Sequence, residues 1–282
     1  MAVPAVRAPS DGSLSVSNAS SRGTFLVGAA AASTAVLWGQ NAAAAKPLGI
    51  VGFIKPTRRI GSLEELIPFL PPGLAMVPVY LDFTEGTASE FAAGISLYEK
   101  QIAFLAGKGC DLISAEGGPV FMIQGYPRET GILKSWKQRY KIPVITSSSS
   151  QVDALHALKV KSFVGATYLP ADQNVLYTKY FAEAGFNVLS MNGIDVPFDK
   201  VQTVPSSQIA AYIKSEFAKN PNADAVYMLG SGWRTVDIID SLERDLGVPV
   251  VHAIAARGWD IQKMLGLRYP IKGYGKLLAE LP

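Results

Sequence analysis

From residue 46 onward, short β-branched and apolar runs alternate with longer stretches whose apolar residues recur at helical spacing. LGIVGFI (48–54), AMVPVYL (75–81), DLISAE (111–116) and IPVITS (142–147) read as strands, and uninterrupted apolar runs of this length suit parallel strands buried on both faces. Between them lie GSLEELIPFL (61–70), with Ser62 and Glu65 spaced as a capping box, ASEFAAGISLYEKQIAFLAGKG (88–109), closed by glycine, and VFMIQGYPRETGILKSWKQRY (120–140), helical in parts. The pattern then repeats. KSFVGATY (161–168), FNVLSM (186–191), DAVYML (224–229) and VPVVHAIA (248–255) read as strands. DQNVLYTKYFAEAG (172–185), SSQIAAYIKSEFAKN (206–220), WRTVDIIDSLERDLG (233–247) and RGWDIQKMLGL (257–267) read as helices.

Strand 48–54 maps onto 161–167, and strand 111–116 onto 224–229, with one offset of 113 residues. The expected fold is therefore α/β: two pseudo-symmetric parallel-sheet halves, 46–150 and 151–256, then a C-terminal helix and tail, 257–282. Right-handed crossovers gather the loops after the strands on one edge of each sheet. Ligands of such folds bind beyond the carboxyl ends of the strands, here in a cleft between the halves.

The first 45 residues break the pattern. A Ser-, Ala- and Gly-rich stretch carrying Arg7 and Arg22 leads into FLVGAAAASTAVLWG (25–39), then QNAAAAK with small residues at cleavage spacing. This reads as a secretory signal peptide over 1–45, with an exported, periplasmic or extracellular mature chain. Ser21-Arg22-Gly23-Thr24-Phe25-Leu26 resembles a twin-arginine leader with glycine at the second arginine, and the ordinary secretory route stays open beside it. The apolar stretch is short for a membrane span, so no stable span is expected after cleavage.

The chain of 282 residues is 49% hydrophobic and 17% charged, with net charge +3 and no basic block, so nucleic acid is not an expected partner. The single cysteine, Cys110, cannot form an internal disulfide, and the two histidines, His156 and His252, give no metal-ligand spacing.

The cleft should collect two facing small-residue turns, Gly117-Gly118-Pro119 and Gly230-Ser231-Gly232. Lys55-Pro56-Thr57, Thr167-Tyr168 with Asn174, Ser147 to Ser150, and His252 would join them from the ends of other strands. Glycines admit close backbone approach, and turns that open helices favour an anion. A small carboxylate or dicarboxylate is the expected guest.

TYLPADQN, ERDLGVPVV followed by GWDIQKM, the tail GYGKL and the facing turns together resemble arylmalonate decarboxylase and its relatives, maleate isomerase and the aspartate/glutamate-type racemases. The resemblance covers nearly all of 46–282. It implies cofactor-independent chemistry in which a carboxylate is held and an adjacent enediolate or carbanion is stabilised by backbone N–H groups, hydroxyls and a tyrosine. The family's first cysteine position falls on Gly117, glycine also in the decarboxylase, and its second on Ser231. The tyrosine falls on Tyr168 and the asparagine on Asn174, while the hydroxyl pair of the first turn becomes Gly118 and Pro119. Without thiols, two-base racemisation and isomerisation through a thiol adduct are excluded. Decarboxylation needs only a stabilised negative charge and one later protonation.

Several groups stay open between a chemical and a structural duty. Glu116 either donates a proton from a dry pocket or pairs with a base on the opposite face. His252 is a general acid or base, or a histidine with a backbone partner. Ser231 is read as a hydrogen-bond donor rather than a nucleophile, because Arg234 occupies the last position of a nucleophile elbow. Arg234, a cation at a helix start, invites an anion, and Trp233 lines a pocket or packs in the core. The reading is an exported decarboxylase of malonate-type acids using Ser231, Tyr168 and the N–H groups of Gly117, Gly118 and Gly232; the alternatives are an exported carboxylate-binding protein without chemistry, or a divergent member of the isomerase and racemase family.

Overall fold

The computed structural model describes residues 46–58, 61, 63–83, 88–229 and 232–282. The expected signal peptide, the Ser62 cap, and Gly230 and Ser231 of the second turn lie outside the described residues.

Two four-stranded parallel sheets carry the chain. The first has order β2-β1-β3-β4, from β1 (Gly49–Lys55), β2 (Leu74–Tyr80), β3 (Leu112–Ala115) and β4 (Val144–Thr146). The second has order β6-β5-β7-β8, from β5 (Ser162–Thr167), β6 (Asn187–Gly193), β7 (Ala225–Met228) and β8 (Val250–His252). β5, β6 and β7 each begin 113 residues after β1, β2 and β3, so the repeat seen in the hydrophobic pattern is a repeat of structure. The inner strands β3 and β7 are buried at every residue, whereas the edge strand β6 alternates toward solvent, as two-face coverage requires.

The helices are α1 (Ala88–Ala93), α2 (Ile95–Gly107), α3 (Gly118–Met122), α4 (Tyr126–Tyr140), α5 (Ser147–Ala157), α6 (Ala171–Glu183), α7 (Ser206–Ala218), α8 (Ile239–Leu246), α9 (Ala253–Met264) and α10 (Lys276–Glu280). Several differ from the pattern reading. The helix expected over 61–70 is only a 3-10 turn at Ile67–Phe69, because Pro68, Pro71 and Pro72 cannot donate and restrict the residues before them. The helix expected over 88–109 breaks at Gly94, where a Cβ would come within 2.6 Å of the Phe83 ring. The helix expected from 233 starts with a 3-10 turn at Val236–Ile238, which leaves Trp233 and Arg234 on the preceding loop. The strand expected to 255 stops at His252, and α9 follows without a linker.

α5 and α9 lie side by side in the same direction. Ser147 meets Arg257, Ser150 meets Asp260 and Asp153 meets Lys263, always 110 residues apart. The expected boundary at 150/151 therefore falls inside α5, within the seam that joins the halves. The tail folds back so that Tyr274 stacks on Phe69 with ring centroids 4.6 Å apart. Among the described residues no helix is long and apolar enough to cross a membrane. Cys110 is buried beside β1, its thiol pushed up by burial, as suits a structural thiol.

Candidate functional site

The register of the first sheet sets the site. Ile54 pairs with Ala115, so Lys55 and Glu116 emerge together at the carboxyl edge. Glu116 Oε2 accepts from Lys55 Nζ at 2.7 Å and forms an ion pair with an Arg257 guanidinium nitrogen at 3.1 Å. All three side chains are buried. Arg257, on α9, also donates to Ser147 Oγ at 3.4 Å, while Arg257 Nε and Glu116 Oε1 are buried without a hydrogen-bond partner. Of the two duties open for Glu116, this geometry is that of a carboxylate paired with two cations.

Gly117 follows with φ 102° and opens α3. The left-handed conformation favours glycine, and the space does too: a Cβ here would come within 2.7 Å of Tyr98 Oη and 3.3 Å of Pro56 Cγ. Tyr98 donates its hydroxyl to the Glu116 carbonyl. Pro56 thus backs the first turn, and its carbonyl accepts from the Phe83 N–H at 2.9 Å. Gly118 is buried, and the nearest atom to its absent Cβ is Tyr177 Oη of the second half, at 3.8 Å.

On the other wall, the ring of Tyr168 lies over Gly232, where a Cβ would come within 2.3 Å of Tyr168 Cζ. Trp233 stands edge-on to that ring, centroids 5.4 Å apart. Trp233 is buried and donates its indole N–H to the Leu229 carbonyl, so it props Tyr168 from the core side. Burial holds the Tyr177 and Tyr227 hydroxyls far above the usual tyrosine range, and the neighbouring tyrosines, Tyr168 among them, add to it. Tyr168 and Tyr177 thereby connect Gly232 of one turn to Gly118 of the other.

Other expected residues have different duties. Asn174 Oδ1 accepts from Thr167 Oγ1 at 2.7 Å and its Nδ2 donates to the Leu169 carbonyl at 2.9 Å; the amide ties the loop after β5 to α6. His252 caps α9: its Nδ1 accepts from the Ile254 N–H at 3.1 Å, which puts the ring proton on Nε2, 3.2 Å from Thr235 Oγ1. Burial first, and the charge of Arg257 second, push its pKa down to about 3. His252 is thus a neutral capping residue. Arg234 is exposed on the loop before the 3-10 turn, away from the helix start that was expected to make it an anion receptor. Ser147 to Ser150 form the first turn of α5 rather than the end of a strand, with Thr146 and Ser149 closing a reciprocal capping box.

Arg257, Tyr98, Tyr177 and Tyr227 were not singled out from sequence, and Lys55 was expected at the cleft only as a strand-end residue, without a partner. A signal existed for two of them: Lys55 ends an otherwise apolar strand, and Arg257 interrupts the apolar run AIAARGW. A buried cation in such a setting needs a partner. Among the described residues no group of three or more His, Cys, Asp or Glu side chains is placed to hold a metal ion.

Two four-stranded parallel-sheet halves, repeated at one offset of 113 residues, define the α/β class to which the fold belongs. Maleate isomerase Iso of Pseudomonas putida S16 superposes with TM-score 0.76 at 18% identity, over 83% of this chain and 99% of that one. A glycine-to-cysteine mutant of arylmalonate decarboxylase in a sulfate-associated form superposes with TM-score 0.73 at 22% identity, over 82% of this chain and all of that one. The Bordetella bronchiseptica arylmalonate decarboxylase is 24% identical over 220 residues, 76% of this chain and 87% of that protein. A family model described as arylmalonate decarboxylase matches residues 67–278. The chain belongs to the arylmalonate decarboxylase family. The relatives are decarboxylase and isomerase enzymes, and a variant of the Pseudomonas putida isomerase has been solved with maleate.

Proposed function

We propose that the chain decarboxylates a malonate-type acid without a cofactor. One carboxylate leaves as CO₂ when its bond to the α-carbon breaks; the electron pair passes into an enediolate, which then takes one proton from water at that carbon. The observation that carries this reading is the set of polar groups between the turns. Tyr168 stands there with the glycine backbone, whereas Glu116 is tied to Lys55 and Arg257 and His252 is a neutral cap. Such a site stabilises charge rather than passing protons from wall to wall, and preorganised donors aimed at developing charge supply the largest single share of many rate enhancements. In this reading Tyr168, the N–H groups of Gly117, Gly118 and Gly232, and Ser231 hold the enediolate, and Trp233 keeps the Tyr168 ring in place.

The test is CO₂ release from a panel of malonates, with Tyr168→Phe as the variant. Turnover that falls about 10²–10³-fold in the variant, the cost of one oxyanion donor, supports the reading. Saturable binding of malonates with no CO₂ from the parent chain refutes the lyase and leaves the second reading, a carboxylate-binding protein. We also propose residues 1–45 as a cleaved leader; a mature N-terminus far from Lys46 in a secreting bacterial host refutes that.

A further inference from the structure

We propose that the Tyr177 hydroxyl is a substrate-binding donor: it reaches from the second half across the cleft and hydrogen-bonds a carboxylate oxygen seated beside Gly118. The inference rests on the reading of the cleft as a carboxylate site and deepens it.

Tyr177 lies on the buried face of α6 with Asn174, Tyr180 and Phe181. The residue is 3% exposed, and its hydroxyl has no hydrogen-bond partner. A buried hydroxyl left unpaired costs about 1–3 kcal/mol, and a phenylalanine would fill the same space without that cost. The three tyrosines of α6 and β7 on this wall make the contrast. Tyr180 gives its hydroxyl to Glu129, as buried tyrosines ordinarily do. Tyr177 and Tyr227 do not, and both belong to the group around Tyr168.

The hydroxyl also lies beside the first turn. The nearest atom to the absent Cβ of Gly118 is Tyr177 Oη at 3.8 Å. A methyl group there would simply rest against the hydroxyl. The hydroxyl is closed to solvent as it stands, so a carboxylate oxygen takes this seat as the phenol and the Gly118 backbone part to admit it. The two donors come from different halves, so a carboxylate held by both spans the cleft. Burial keeps the phenol protonated across the working pH range, which makes Tyr177 a constant donor and not a proton source.

Calorimetric titration of the full chain with phenylmalonate, methylmalonate and maleate tests this on Tyr177→Phe and Gly118→Ala. A hydrogen bond to a charged group, about 1.5–3 kcal/mol, corresponds to roughly 10- to 150-fold in Kd. Tyr177→Phe should weaken binding by that factor while the ligand-free melting temperature stays level or rises. Gly118→Ala, which has ordinary backbone angles and no close neighbour, should weaken binding by occupying the seat. Tyr212→Phe, which removes another unpartnered buried hydroxyl on α7, should leave affinity unchanged. Binding by either site variant within two-fold of the parent overturns the role of Tyr177 while leaving the carboxylate site standing. A parent that binds none of the three acids overturns both.

Discussion

Replacing Glu116 by glutamine separates the two duties that its position allows. The substitution keeps shape and removes charge. Lys55 Nζ and the Arg257 nitrogen share Glu116 Oε2 at 2.7 and 3.1 Å, so they lie no more than about 6 Å apart. At an effective dielectric near 20, two like charges at that distance repel by about 3 kcal/mol. With the carboxylate in place this repulsion is more than offset; with glutamine it stands. Removing one member of a buried ion pair costs about 3–5 kcal/mol in general, so the two routes to the magnitude agree. At about 2–4 °C per kcal/mol for a chain of this size, Glu116→Gln should melt roughly 6–20 °C below the parent. Differential scanning calorimetry at neutral pH reads this directly, and urea titration gives the free energy without relying on heat reversibility.

A proton donor predicts the opposite pattern: a glutamine that folds as well as the parent and stops the chemistry. A Glu116→Gln melting within 2 °C of the parent would refute the ion-pair argument. If stability falls as expected, replacing Arg257 by methionine in the same chain should recover part of the loss, because the remaining cation no longer faces a like charge. Recovery in that double variant is the signature of electrostatics rather than of packing.

Two further perturbations probe the seams between the halves. Asp260 is buried, accepts from Ser150 Oγ at 2.7 Å, and is pushed up to about 6 chiefly by burial; its folded pKa thus exceeds its unfolded one, so its contribution is complete below about pH 4 and lost as pH rises to 6. Asp260→Asn should therefore raise the melting temperature relative to the parent more at pH 8 than at pH 4, by up to roughly 2–3 kcal/mol, and equal differences at the two pH values would contradict the burial argument. Glu129 on α4 accepts from Thr146, from Ser148 at 2.6 Å and from Tyr180 on α6; Tyr180→Phe should lose about 1.5–3 kcal/mol in urea titration, the worth of a hydrogen bond to a charged group, and no loss would mean that Glu129 is protonated or its hydroxyl partners compensate.

The architecture was legible because it is written in local, repeated signals. Buried parallel strands need apolar runs on both faces, and a duplicated half repeats them at a constant offset, so β1, β3, β5 and β7 stood out together. The elements that went astray were those decided at one or two residues: Pro68 stopping a helix, a turn at Gly94 dividing another, and His252 turning β8 straight into α9. The first turn, at Gly117 and Gly118, was legible for the same reason as the strands, since small residues after an apolar run mark a strand end. What surrounds it was not. Lys55 meets Arg257 across more than two hundred residues through one carboxylate, and Tyr177 reaches Gly118 from the other half; nothing local in either segment encodes its partner. The chemistry follows from those long-range pairings. Among the buried polar groups, Asn174 and His252 are paired and silent and Glu116 is tied to two cations through one oxygen, whereas the Tyr177 hydroxyl beside Gly118 is unpartnered, a state that a ligand can complete.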